Sequence, residues 1–369
     1  MNQAKTRRIL IMRRVKRILL LLCLFLLVLT SCSNERVVDQ LHILTTLGFD
    51  KHKSGYTGTG LYADLTQKGG KIGIIQGNSK QINLIFNQMN SQSTKRIDIG
   101  KLRVIMFSKE LAQEGISHFL LTICKDPTIS NYIYIVVTQE TTASFSKGLK
   151  GKDRSRLPYY MIEQNMRSGN IPQTNLSTVL FDFYGEGRDL SVPYIRFNKN
   201  GETEIIGYGI FDDDRLKFVI NREEMLLYKL LQGKYIQGDI PYTVKSNKDK
   251  SAALFSIQYG KGHKTVSKHN NETKITYHLT LNGMVKEYPQ GTQVEINKSL
   301  VHLKKELQTD LMRLLNKFKD ENVDPLGIGD LVRAHSREWN EKQFYKEKYS
   351  TIGFDVDLNL QLTKSGIGE

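Results

Sequence analysis

Cysteine is scarce, with three residues in 369, at positions 23, 32 and 124. That rules out a disulfide framework and any cysteine-built zinc site. Seven prolines leave no material for a Pro-rich linker, and a single Trp stands at position 339. No repeat of 20–50 residues recurs, which excludes a solenoid. Acidic residues are missing from the first 17 positions, and no apolar run is longer than the 12 residues of Ile18–Leu29. A helix of that length spans roughly 18 Å, against about 30 Å of hydrocarbon, so a membrane-crossing helix is not expected.

What stands there instead is a cationic head, Lys5, Arg7, Arg8, Arg13, Arg14, Lys16 and Arg17, followed by the short apolar run. This is the layout of a secretory signal. It closes on Leu29-Thr30-Ser31-Cys32, an order that resembles the bacterial lipobox: small residues admit the signal peptidase, and a thiol accepts the diacylglyceryl group. Residues 1–31 are therefore expected to be removed and Cys32 to carry the S-diacylglyceryl and N-acyl chains. Several acyl chains at about 0.8 kcal/mol per buried CH₂ anchor a protein without a spanning helix. Only Cys124 then remains as a thiol, so no intrachain disulfide is possible. From Cys32 onward there are 46 cations and 38 anions, an excess of eight. Such an excess suits an anionic leaflet, and a secreted chain excludes nucleic acid as partner. The densest basic stretch, Lys147 to Arg156, is expected to be a solvated loop that could also face a membrane or a partner.

The clearest local unit is β-α-β. Leu102–Phe107 and Tyr132–Val137 suit strands buried on both faces. Between them Ser108 can cap a helix whose Ile116, Phe119, Leu120, Ile123 and Cys124 share one face. Strands over His42–Asp50 and Tyr56–Leu65, a helix over Ser79–Met89, and helices over Tyr159–Arg167 and Leu176–Tyr184 complete an N-terminal α/β domain, 32–185. Gly185–Arg188 marks its boundary. A small middle domain, 186–245, holds strands Ile205–Phe211 and Leu216–Ile220 around an Asp212-Asp213-Asp214 turn. A helix follows, opened by an Asn221/Glu224 capping box and ending at Gly233. In a C-terminal domain, 246–369, Ile275–Leu281 and Phe354–Leu362 alternate as half-buried strands. A long helix presents Leu300, Leu303, Leu307, Leu311, Leu314, Leu315 and Phe318. A second helix is expected from Asp324 as N-cap and Pro325, continuing through Leu331, Val332, His335 and Trp339. The expected class is a mixed α/β, α+β chain: a multi-domain lipoprotein of three domains with mixed sheets flanked by helices.

No catalytic constellation stands out. There is no G-x-S-x-G, no H-E-x-x-H and no phosphate loop after Phe107, where Ser108-Lys109-Glu110 follow. Gly327-Ile328-Gly329-Asp330 is only a fragment of a phosphate pattern. His263 and His269 read as loop residues in a Lys-rich segment rather than metal ligands. Cys124 reads as an inert buried thiol. No metal, cofactor or catalytic residue is assigned, and no enzymatic activity is expected.

Four stretches, taken in order, resemble the Ger(x)C family of spore germination lipoproteins. They are Val37–Asp50, ending Leu47-Gly48-Phe49-Asp50; Asp98–Gly115; Ile206-Gly207-Tyr208-Gly209-Ile210-Phe211 with Glu223–Leu231; and Asp324-Pro325-Leu326-Gly327-Ile328-Gly329 followed by Trp339. The resemblance implies a non-catalytic C subunit of a nutrient germinant receptor. It would be lipid-anchored on the outer face of the spore inner membrane, beside integral-membrane A and B subunits. The alternative is a substrate-binding lipoprotein of an importer, which needs two similar lobes around a cleft. One β-α-β unit followed by one-sided strands does not supply them. A lipid-anchored hydrolase would need a triad that is absent.

Overall fold

Strand-forming runs dominate the chain and sort into two sheets. The computed structural model describes residues 16–19, 40–65, 69–234, 236–245, 250–269, 272–287 and 293–363. The first sheet has nine strands, in the order β3-β2-β1-β5-β6-β7-β8-β9, with β4 also pairing β1. They are β1 (Leu41–His52), β2 (Gly55–Asp64), β3 (Lys71–Ser79), β4 (Arg96–Asp98), β5 (Val104–Ser108), β6 (Tyr134–Thr138), β7 (Ser191–Phe197), β8 (Thr203–Asp212) and β9 (Arg215–Asn221). The second has four: β10 (Ile236–Lys245), β11 (Lys250–His269), β12 (Glu272–Glu287) and β13 (Gly353–Leu362). Both sheets are mixed. β1, β5, β6 and β7 run parallel, as do β12 and β13, while the β1–β2, β2–β3, β7–β8, β8–β9, β10–β11 and β11–β12 ladders are antiparallel.

The two-residue period of a strand assigns the central strands to two cores. Val104, Met106 and Val136 face one, and Ile105, Phe107, Ile135 and Val137 face the other. The second core is covered by helices Ile82–Gln92, Lys109–Glu114, Ser117–Cys124 and Leu176–Tyr184. The first is shared with the four-stranded sheet through helices Thr142–Leu149, Pro158–Arg167, Arg222–Gln232 and Gln293–Asp320. The last of these buries Leu303, Leu307, Leu311, Leu314, Leu315 and Phe318, the expected stripe, with Leu300 at its margin.

Several local expectations hold in detail. Leu111 N donates to the Ser108 hydroxyl, capping the crossover helix. Asn221 and Glu224 form the reciprocal capping box, and Gly233 ends that helix in the left-handed region at φ 73°. Asp213 takes φ 57° in the β8–β9 turn.

Others are corrected. Gly115, at φ 129°, breaks the crossover into two short helices, because such a backbone leaves the helical region. Ser79 ends a strand rather than starting a helix, which begins at Ile82. The basic stretch is not one loop. Lys147 closes a helix, and 151–154 runs along the free edge of β3, where Ile72 N donates to Lys152 O and Arg154 N to Gly70 O. His263 and His269 lie in β11 rather than in a loop. β7, β8 and β9 extend the sheet begun by β1.

Candidate functional site: a buried polar joint

Two segments 135 residues apart are locked together around Asp324, whose side chain is fully buried. The helix Ile328–Ala334 begins with its first N–H groups unpaired, as every helix does. Asp324 supplies their acceptors from outside the helix. Its carboxylate accepts from Ile328 N at 2.8 Å, Gly329 N at 2.7 Å and the Tyr345 hydroxyl at 3.0 Å. The expected N-cap is thus displaced: Gly327, at φ 67°, holds the cap position, and the helix starts three residues past Pro325. Asp189 clasps the same loop from the other side. Its N–H donates to Asp324 O at 2.9 Å, while its carboxylate accepts from Asp324 N at 2.6 Å and Asp213 N at 3.3 Å.

Glycine is required where the two segments cross. A Cβ on Gly187, at φ 80°, would stand 2.3 Å from Asp330 N, and one on Gly329 would stand 2.7 Å from Gly187 Cα. That approach lets Asp330 N donate to Gly187 O at 2.8 Å, and Glu341 accepts from Gly187 N at 2.6 Å. Around this crossing the Arg188 guanidinium bridges Asp182 and Asp330 and stacks 4.5 Å from the Phe181 ring. Tyr228 donates to Pro325 O, Tyr349 to Val323 O, and Lys264 to Leu326 O at 2.6 Å.

Electrostatics follow from burial. Desolvation, then the neighbouring Asp324 charge, pushes the Asp189 carboxyl up to about 7. Burial also raises Asp324, against the pull of the Gly329 and Ile328 N–H groups and the Lys264 ammonium. Burial drives Lys264 down to about 8, with Asp324 acting the other way. For Asp330, burial is outweighed by hydrogen bonds from Arg333 and Arg188, and its carboxyl sits below the usual range. The Asp189 and Asp324 carboxylates accept from the chain's own donors. Chemically, the arrangement is a joint that fixes one segment against another.

A second joint uses Leu47-Gly48-Phe49-Asp50. Leu47 and Phe49 enter the second core, while a Cβ on Gly48 would meet the Thr142 side chain at 2.5 Å. The Asp50 carboxylate accepts from Thr142 N, the Thr142 hydroxyl and Ala143 N at 2.6, 2.8 and 2.9 Å, at the start of the helix Thr142–Leu149.

The remaining candidate residues fall elsewhere. Leu29, Thr30, Ser31 and Cys32 lie outside the described residues. Cys124 is exposed rather than buried, at the last turn of its helix, and partial burial pushes its thiol up. His263 stacks on His278 at 4.7 Å, and His278 faces Asp357. Among the described residues no cluster of three His, Cys, Asp or Glu side chains could hold a metal. Asp214 serves the fold: its carboxylate accepts from Ser117 N at 3.1 Å, and its carbonyl from Ile116 N. Trp339 lies beyond the helix, which ends at Ala334, and is half-buried 4.9 Å from Phe344. Among the described residues no helix is long and apolar enough to cross a membrane.

Known proteins resemble this chain in sequence and in fold. Residues 34–197 match the spore germination protein N-terminal domain, and residues 206–366 match the spore germination B3/GerAC-like C-terminal domain. The spore germination protein GerQC of Bacillus cereus is 24% identical over 359 residues, covering 95% of this chain and 98% of that protein. The spore germination protein KC of Bacillus subtilis (strain 168) is 20% identical, covering 94% and 95%. The crystal structure of the GerBC protein has the same fold, with TM-score 0.59 over 86% of this chain and 97% of that one at 16% identity. With the two domain models matched in order and the fold shared over most of the chain, the chain belongs to the Ger(x)C family of spore germination proteins.

Proposed function

We propose that the chain is the lipid-anchored, non-catalytic C subunit of a nutrient germinant receptor. In this reading Cys32 holds it on the outer face of the spore inner membrane, and it works beside integral-membrane A and B subunits. The observation that carries the reading is the end-to-end match to spore germination proteins, joined to the Leu29-Thr30-Ser31-Cys32 order after a short apolar run. The polar joint supports a non-catalytic role, because its ionisable groups are committed to backbone N–H groups and to each other. One sheet of nine strands beside one of four offers no pair of similar lobes, so nothing favours the importer alternative.

The test is germination in response to nutrients. Spores with the gene deleted should lose the response of one receptor, and Cys32→Ala should lower it in proportion to the protein lost from the membrane fraction. A normal response in the deletion strain to every nutrient tried would overturn the reading.

A further inference from the structure

Five adjacent strands meet at one end of the first sheet, the end where β1 begins. Their register sets this: Asp64 pairs with Lys71, Tyr62 with Leu44, Thr45 O accepts from Arg103 N, and Arg103 O accepts from Tyr134 N. Segment 93–103 reaches this end, with the Ser93 hydroxyl 3.0 Å from the His42 ring. Segment 150–156 lies along it through the Lys71–Asp153 bridge. Each segment carries four cations and one anion, so together they hold six of the eight excess positive charges beyond residue 31. Lys101, Arg103, Lys150, Arg154 and Arg156 are exposed.

Three carboxylates at this end are held by backbone N–H groups of their own turns. Asp98 accepts from Gly100 N, Asp153 from Ser155 N and Asp126 from Thr128 N. Glu163 pairs with Arg167, and Arg156 is itself paired with Glu202. Apolar and aromatic groups stand among the cations. Tyr132 is 78% exposed and Leu65 61% exposed, and the Arg103 guanidinium lies 4.2 Å over the Tyr159 ring. Exposed tyrosine beside Lys and Arg is the composition of a membrane–water interface. At the opposite end of β1, β5 and β6, segments 50–53, 108–115 and 138–142 hold Lys51, Lys53 and Lys109 against Asp50, Glu110, Glu114 and Glu140. That end has no positive excess.

We propose that the end of the sheet where β1 begins, with Lys101, Arg103, Lys150 and Arg154 at its surface, lies against anionic phospholipid headgroups. This rests on the reading that Cys32 is acylated. His42 is ten residue steps from Cys32, and at 3.3–3.6 Å each they reach at most about 36 Å. The anchor therefore tethers this end of the sheet, and the charge excess sits where an anionic leaflet attracts it. The attraction decays within about a Debye length.

The full acylated chain, reconstituted in vesicles of phosphatidylcholine alone or mixed with phosphatidylglycerol, provides the test. Lysine acylation is read residue by residue by mass spectrometry. Labelling of Lys101 and Lys150 should fall about fivefold in the anionic vesicles, and about 0.5 M NaCl should restore it. Lys53 and Lys109 should be labelled equally in both. The double variant Lys101→Glu, Arg154→Glu should remove the protection of Lys150 while the reference lysines stay unchanged. Equal labelling in the two vesicle types overturns the proposal. So does protection that appears only when other receptor subunits are added, which would assign the patch to them. Flotation with phosphatidylcholine vesicles tests the anchor separately. If the chain fails to float there, salt-sensitive flotation with anionic vesicles still supports the surface, and no flotation with either overturns it.

Discussion

Replacing Asp324 with alanine should open the joint between the 185–189 segment and the helix Ile328–Ala334. The carboxylate is fully buried and accepts three hydrogen bonds, from Ile328 N, Gly329 N and the Tyr345 hydroxyl. A buried donor left unpaired costs about 1–3 kcal/mol. Three of them give an upper range near 9 kcal/mol, from which the relief of no longer burying a carboxylate is subtracted. Lys264 loses its opposite charge at the same time, which works against that relief. The net expectation is a loss of about 3–5 kcal/mol. Asp324→Asn keeps one acceptor and turns a donor toward the others, so about 2 kcal/mol is expected. Urea unfolding followed by circular dichroism measures both, and amide exchange at Ile328 and Gly329 shows whether opening is local. A stability within about 1 kcal/mol of the native chain for Asp324→Ala, with both amides still protected, would refute this reasoning.

The pH dependence should carry the sign of Asp189. Its folded pKa, pushed up to about 7 by burial, exceeds the unfolded value near 3.9, so the folded chain holds the extra proton between them. Stability should fall as pH rises from about 4 to about 7, and Asp189→Asn should flatten that slope. Lys264, driven down to about 8 by burial, acts oppositely: from about 8 to about 10.4 the unfolded chain holds the extra proton and stability should rise with pH. Trp339, half-buried against Phe344, should emit between core and water wavelengths and shift red on unfolding. Trp339→Ala should cost about 1.5–3 kcal/mol, below the 3–5 of a fully buried indole; water-like emission from the folded chain would contradict the packing. Cys124 should react slowly with a thiol reagent in the folded chain, and Cys124→Ser should shift stability by no more than about 0.5 kcal/mol. Reaction only after unfolding would place the thiol elsewhere.

Features whose causes are local could be read from the residues. The β5–β6 crossover, the Asn221/Glu224 cap and the Gln293–Asp320 stripe each depend on neighbours within a turn or a strand. β11 was illegible for a physical reason. Over 261–269 it places Lys261, His263, Thr265, Ser267 and His269 on one face, opposite Gly262, Lys264, Val266 and Lys268. Neither set is apolar: Val266 alone packs against the core, and pairing with β12 holds the rest of the stretch. β3 hides similarly, its Ile72, Ile74 and Ile75 being interrupted by Gly73. The polar joint has no local signal at all: Asp189 and Asp324 are 135 residues apart and meet only through the tertiary fold. Asp324-Pro325 reads as a helix start by itself, and what displaces that start is Gly327 in the left-handed region together with a clasp supplied by a distant segment.

The proposed receptor role is tested most directly by purifying a C-terminally tagged chain from detergent-solubilised spore membranes and identifying what comes with it by mass spectrometry. The expected result is a mature chain that begins at an acylated Cys32 and brings two polytopic membrane proteins of a germinant receptor in near-constant ratio. A chain that is unacylated and comes alone, or one that brings an importer permease instead, would contradict it.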